Sequence, residues 1–295
     1  MNRKHRRQIL RDDLFFISPM LLIYTLFFMV PMVLGVVYSF TNWDALHPNW
    51  QYVGLENYIK SLTHDEEFFK AATFTIQYVF FGTSLCTVLG LLIAMLVNSD
   101  IRTRNFTRVA VFLPNVVSAI VIGFIWKFIY GNFLPEIGRG LGSSFLQIDF
   151  LHLFNGGMLW VVLVPTVWQS IGFNVVVYIA GLQSIPSELH EAMLLDSSSA
   201  WQRFRHLILP FLVPSIYSTL FINLTGGLKA YDLITSLTGG GPIKLTHTIA
   251  YNLYVEAFNK MEYGYASAKC VLFAIGILGI TLLQTYFMKS REVTL

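Results

Sequence analysis

The stretch Ile185–Pro214, IPSELHEAMLLDSSSAWQRFRHLILPFLVP, decides how the rest of the chain is read. It carries Glu188, Glu191, Asp196, Arg203 and Arg205 between two long apolar runs. Pro186 and Ser187 form a helix start, because proline sets the turn and a serine hydroxyl can cap free amides. Glu188 and Glu191 fall in the first turns, where the helix dipole favours negative charge. Leu189, Ala192, Met193 and Asp196 share one face at three- and four-residue spacing. The run Ser197 to Ser199 interrupts this helix, and Trp201 to Leu209 start a second one that ends at Pro210. A polar helical hairpin between two membrane spans has nothing of its own to bury against. It reads as a docking element for a partner; the plainer reading is a solvated amphipathic loop.

Composition agrees with a membrane setting. Of 295 residues, 55% are hydrophobic and only 13% are charged, about half the share of a soluble domain. Apolar runs long enough to cross a bilayer recur at Leu14–Phe40, Phe74–Val97, Val109–Tyr130, Met158–Leu182, Pro210–Tyr231 and Tyr265–Met288. Six spans put both ends on one side. That side would hold Arg3, Lys4, Arg6, Arg7, Arg11, Arg102, Arg104, Arg108, Arg203, Arg205, Lys289 and Arg291; the other holds Lys60, Lys70, Arg139, Lys244 and Lys260. The excess marks the first side as cytosolic. The expected organisation is a basic cytosolic start at 1–13, a six-helix membrane domain at 14–289 with its cytosolic loop near 185–210, and a short cytosolic tail at 290–295.

Other classes lack their chemistry. The basic residues are scattered through short loops, which argues against nucleic acid. Cys86 and Cys270 lie in apolar runs and read as small buried hydrophobes, not as a disulfide or metal pair. No phosphate-binding glycine loop with Lys-Ser or Lys-Thr, no metal-ligand cluster and no nucleophile elbow is found, so no catalysis is expected. The start of the chain shows no small-residue cleavage site after its apolar run, so no cleaved signal peptide is expected.

Residues 191–210 resemble the EAA loop of ABC-importer permeases. Glu191, Ala192 and Met193 stand at the E-A-A positions, Asp196 and Ser197 at the acidic and glycine positions, Trp201, Gln202 and Phe204 in the spacer, and Leu207, Leu209 and Pro210 at the close. Met193 and Ser197 depart from the usual alanine and glycine. A serine forced to positive φ costs on the order of 1 kcal/mol, which implies a differently shaped bend. Two further stretches are similar to the carbohydrate-type branch of that family. They are Gly54-Leu55-Glu56-Asn57-Tyr58, and Leu237-Thr238-Gly239-Gly240-Gly241-Pro242 behind the fifth span.

The resemblance implies an all-α, polytopic fold with six transmembrane helices and an ABC type I importer permease core. It implies a second homologous permease, two ABC ATPases that bind ATP and Mg²⁺, an extracellular or periplasmic solute-binding protein, and surrounding membrane lipid. This chain itself would carry no cofactor and no metal. Glu191, Ala192, Met193, Leu195, Asp196, Ser197, Trp201 and Pro210 would form the ATPase-coupling surface. Gly239, Gly240, Gly241 and Pro242 would form an outer gate or contact the binding protein.

For the solute path, the polar and aromatic residues inside the spans are candidates: Asn115, Ser118, Trp126, Trp168, Gln169, Asn174, Tyr178, Asn223, Thr225 and Tyr231. The competing reading makes them interhelical hydrogen bonds and interfacial aromatics. Lys127, Lys229 and Lys269 fall near outer helix ends, where they either snorkel to headgroups or line a vestibule. The implied solute is a sugar or oligosaccharide. The alternatives are a secondary transporter, disfavoured by the lack of mid-span carboxylates, or a permease for another small polar solute such as glycerol phosphate.

Overall fold

The computed structural model describes residues 16–44, 46, 49–98, 104–152, 157–195 and 199–289. The expected basic start and the tail from 290 lie outside the described residues, as do Asp196 and Ser197. The described residues divide into two compact units, one within Met1–Asp65 and Leu253–Ile275, the other within Glu66–Asn252 and Gly276–Leu295. Six helices among the described residues are long and apolar enough to cross a membrane. Among the described residues no strand forms beyond a single bridge between Thr41 and Tyr52.

In chain order the helices are α1 (Phe16–Tyr38), α2 (Glu56–Thr63), α3 (Glu66–Asn98), α4 (Arg104–Val116) and α5 (Ala119–Leu141). They continue with α6 (Gly157–Gln183), α7 (Ser187–Leu195), α8 (Ala200–Leu228), α9 (Asp232–Leu237), α10 (Ile249–Tyr254) and α11 (Tyr263–Lys289).

Prolines shape three of the spans in the same way. Pro31, Pro135 and Pro210 each follow a π turn, at Thr25–Met29, Ile129–Phe133 and Phe204–Ile208. In each case the residue before the proline donates its N–H five residues back: Val30 to Thr25, Leu134 to Ile129, Leu209 to Phe204. Proline has no N–H, and its ring clashes with the carbonyl four residues earlier. Widening the preceding turn removes that clash without ending the helix. Two sequence expectations are corrected by this. The segment from Trp201 does not stop at Pro210, because Ala200–Leu228 is one helix. The third span does not stop at Tyr130, because α5 runs on to Leu141 and ends on Gly142 at φ 65°. That span also does not begin at Val109: the chain breaks at Val117 and Ser118, where Ser118 adopts φ −58°, ψ 140°.

The first unit is tied by polar contacts. The Asn57 side-chain amide donates to the carbonyls of Ser39 (3.0 Å) and Thr41 (2.8 Å), and Tyr58 pairs its hydroxyl with Ser39 at 2.6 Å. The G-L-x-N-Y motif is therefore a staple on the end of α1, with Gly54 supplying the positive φ (58°) of its turn. In the same unit Lys269 is fully buried. Its Nζ sits 2.5 Å from Asp65 and 2.7 Å from Glu256, and 4.4 Å above the Tyr265 ring. Glu256 also takes Lys260 at 3.3 Å, and Tyr265 donates to Asp65 at 2.7 Å. Snorkelling thus fails as a description of Lys269, whose acids come from beyond its own helix.

In the second unit α3 packs on α6 and α8, α4 on α6, α8 on α6, and α9 on α5. Its core gathers Cys86, Ala94, Val97, Val167, Ile171, Val175, Tyr178, Ile179, Leu182 and Leu212. Lipid offers no hydrophobic drive between helices, so close approach through small residues carries the packing. Gly172 shows this: a Cβ there would lie 2.4 Å from the Val111 carbonyl oxygen and 2.7 Å from Phe112 Cα. Cys86 is buried as expected, whereas Cys270 is exposed.

Candidate functional site

The second unit holds a half-open cavity of about 490 Å³ among α3, α4, α5, α6, α8 and the turn into α9. Its wall mixes amides and hydroxyls (Thr83, Asn115, Thr166, Gln169, Ser170 and Asn223) with the rings of Tyr78, Phe173 and Tyr231. Lys229, at the C-terminal end of α8, and Asp232, the first residue of α9, supply its charges. Two of the amides are pinned. Asn115 donates to the Gln169 carbonyl (3.4 Å), and Gln169 donates to the Val117 carbonyl (2.8 Å). The break at Ser118 makes the second bond available, since Val117 lies where regular helix has stopped.

The predicted path residues part company here. Asn115, Gln169, Asn223 and Tyr231 line the cavity, and Thr225 does not. Asn174 and Tyr178 are fully buried between helices: Asn174 accepts from Asn223 at 3.1 Å, and the Tyr178 hydroxyl meets Thr219 at 2.7 Å. Trp126 packs edge-on to Trp168 at 5.8 Å, and Trp168 lines a separate apolar groove with Trp160 and Leu89. Ser118 is exposed at the helix break. Thr83, Thr166 and Asp232 escape a sequence reading, whereas Lys229 takes a cavity-lining place, one of the two offered for it. A single hydroxyl or charge in an apolar run does not show which face it is on. Lys127 is exposed but does not line the cavity.

The glycine-rich stretch forms a folded loop joined to the cavity by aromatic rings. Tyr231 stacks on Tyr251 at 6.0 Å, and Tyr251 stands edge-on to His247 at 4.9 Å. Tyr251 donates its hydroxyl to the Gly239 carbonyl (2.8 Å), and Thr238 pairs with Thr246 (2.7 Å). Gly240 needs to be glycine twice over: its φ is 77°, and a Cβ would lie 2.5 Å from both His247 and Tyr251. The Gly241–Pro242 bond is cis, and the tip beyond it exposes Ile243. Lys244 is held by Glu67.

The hairpin that opened the sequence reading is also placed. α7 begins directly after Pro186 and carries Glu191 exposed, with Met193 half-buried; Ala192 and Leu195 lie on the same helix. Ser199 caps α8 through a full capping box with Gln202, each side chain bonded to the other's backbone N–H (3.2 and 2.7 Å). Trp201 is 66% exposed and stacks on Phe204 at 5.6 Å. Pro210 is exposed, while Leu207 anchors the segment by burial. A charged residue on the short α7 and a large indole at the start of α8, both left facing outward, make a surface suited to a protein partner.

Comparison with known proteins decides the family. Residues 86–292 match the model for the binding-protein-dependent transport system inner membrane component. The chain belongs to this family. It is 36% identical over 278 residues to the probable starch degradation products transport system permease protein AmyD of Thermoanaerobacterium thermosulfurigenes, covering 94% of each chain. It is 37% identical over 279 residues to the multiple sugar-binding transport system permease protein MsmF of Streptococcus mutans, covering 95% of each. The sn-glycerol-3-phosphate transport system permease protein UgpA of Escherichia coli is 30% identical over 280 residues, with 93% of each covered. Among solved structures, a bacterial ABC transporter that imports the acidic polysaccharide alginate superposes with TM-score 0.83 at 20% identity, over 99% of this chain and 100% of that one. The fold is that of an ABC importer permease, and the protein is a multi-pass membrane permease subunit of a transporter.

Proposed function

We propose that this permease forms half of the path for a sugar or oligosaccharide. The cavity carries the reading: rings to stack on pyranose faces stand beside amides and hydroxyls to bond sugar hydroxyls. The names of the starch-product and multiple-sugar relatives support it. Asn115, Gln169, Asn223 and Tyr231 are the path residues retained from the sequence reading, joined by Ser170. Asn174 and Tyr178 act behind them by holding α6 against α8.

A second homologous permease would complete the path, two ATPase subunits would bind ATP and Mg²⁺, and a solute-binding protein would deliver the sugar. Both termini and α7 lie on the cytosolic side in this account. Glu191, with Ala192, Met193, Leu195, Asp196, Ser197, Trp201 and Pro210 around it, docks on an ATPase subunit. Closure of the ATPases pushes on this hairpin and turns the cavity outward. The loop Gly239–Pro242 acts at the outer face, as a gate or a binding-protein contact, and its ring stack to Tyr231 would carry a shift there to the cavity wall. Uptake of labelled oligosaccharide by proteoliposomes holding the full complex tests the path. Asn115→Ala and Asn223→Ala are expected to cut uptake tenfold or more with assembly intact; unchanged uptake by both would contradict it.

A further inference from the structure

The wall of the cavity carries a second message, about charge, and it rests on the reading of that cavity as the solute path. Asn115 and Gln169 each turn an amide N–H onto a backbone carbonyl. A carbonyl can only accept, so these bonds fix which end of each amide is nitrogen; each amide then has one N–H left to donate and an oxygen with two acceptor sites. Asp232 adds a carboxylate, which accepts only. Against this stands one cation, Lys229, on the same turn. Sites that bind carboxylates or phosphates do the reverse: they gather N–H donors and surplus cations. This wall is rich in acceptors, and its two formal charges cancel.

We infer that Asp232 is a specificity determinant that keeps the cavity closed to anionic solutes, leaving it to uncharged, polyhydroxylated molecules that donate O–H. The plainer role for Asp232 is to stabilise the first turn of α9. That role predicts no effect of Asp232 on ions inside the cavity, which separates the two by experiment.

The probes are three small methanethiosulfonate reagents, one neutral, one bearing a sulfonate and one bearing a trimethylammonium group. They are applied to the assembled transporter in membranes, with Ser170→Cys as reporter and Cys86 and Cys270 replaced by alanine. Rates are normalised to those with a free thiol. Ile222→Cys in the native-cysteine background, with parent labelling subtracted, is the second reporter should the first not assemble. Reaction of the neutral reagent establishes that water and solute reach the cavity; its failure at both reporters would remove the path reading and this inference with it.

Given that reaction, wild-type Asp232 is expected to hold the sulfonate rate at or below the trimethylammonium rate. Across separations on the order of 8 Å one charge changes an ion's local concentration about threefold. Asp232→Asn should therefore raise the sulfonate-to-trimethylammonium ratio by about tenfold, and Lys229→Met should lower it by a similar factor. A ratio that does not move in Asp232→Asn, or a wild-type cavity that already favours the sulfonate, would overturn the assignment.

Discussion

Lys269 and Lys229 both end apolar stretches of this chain, and the fold uses them in opposite ways. Lys269 has no exposed surface and is clasped by Asp65 and Glu256 beneath Tyr265. Lys229 stands exposed on the wall of a 490 Å³ cavity, three residues before an equally exposed Asp232. The charges around Lys269 are closed onto each other, so they fix shape. Lys229 and Asp232 stand open on the cavity wall. Charge inside a membrane protein therefore says little by itself; whether its partner is another side chain or the cavity decides what it does.

The comparison can be broken first at Lys269. Lys269→Met leaves the buried Glu256 and the half-buried Asp65 without their shared cation and should cost about 3–5 kcal/mol. Thermal unfolding of the purified complex is expected to show a large loss of stability, while Lys229→Met, at an exposed site, should unfold like wild type. Equal stability of both variants would mean that the buried cluster holds nothing.

The next effect concerns close packing. Gly172→Ala places a methyl group against the backbone of α4 and should destabilise by about 1–3 kcal/mol. Gly226→Ala meets nothing within 4 Å and should be neutral. Denaturation in detergent would sharpen the contrast, and equal midpoints would show that α4 yields readily. A smaller loss, about 1 kcal/mol, is expected for Ser199→Ala, which removes the cap of α8. Hydrogen exchange of the Gln202 amide, which donates to the Ser199 hydroxyl, should quicken, and an unchanged rate would show the cap to be dispensable.

Much of this was legible beforehand. The six spans follow from apolar length, and the Glu191 hairpin and the Gly239–Pro242 turn stand out as polar or glycine-rich breaks in it. Three features were hidden, each for a physical reason. The Lys269 cluster joins acids from distant parts of the chain, which no local window brings together. The π turns before Pro31, Pro135 and Pro210 let helices continue where proline ordinarily ends them. Asn174 and Tyr178 looked like wall residues because residue type reveals polarity but not helix face. The face is set by which neighbours pack: Gly90 lies so close that a Cβ there would be 2.9 Å from Asn174.

The most direct test of the whole account is ATPase activity of the reconstituted complex, with and without the loaded binding protein, for wild type and Glu191→Ala. The account predicts that the variant loses most of the stimulation, tenfold or more, or sheds its ATPase subunits, while α3, α6 and α8 remain folded. Full stimulation in an intact Glu191→Ala complex would contradict it, because the force would then reach the cavity by some route other than the hairpin.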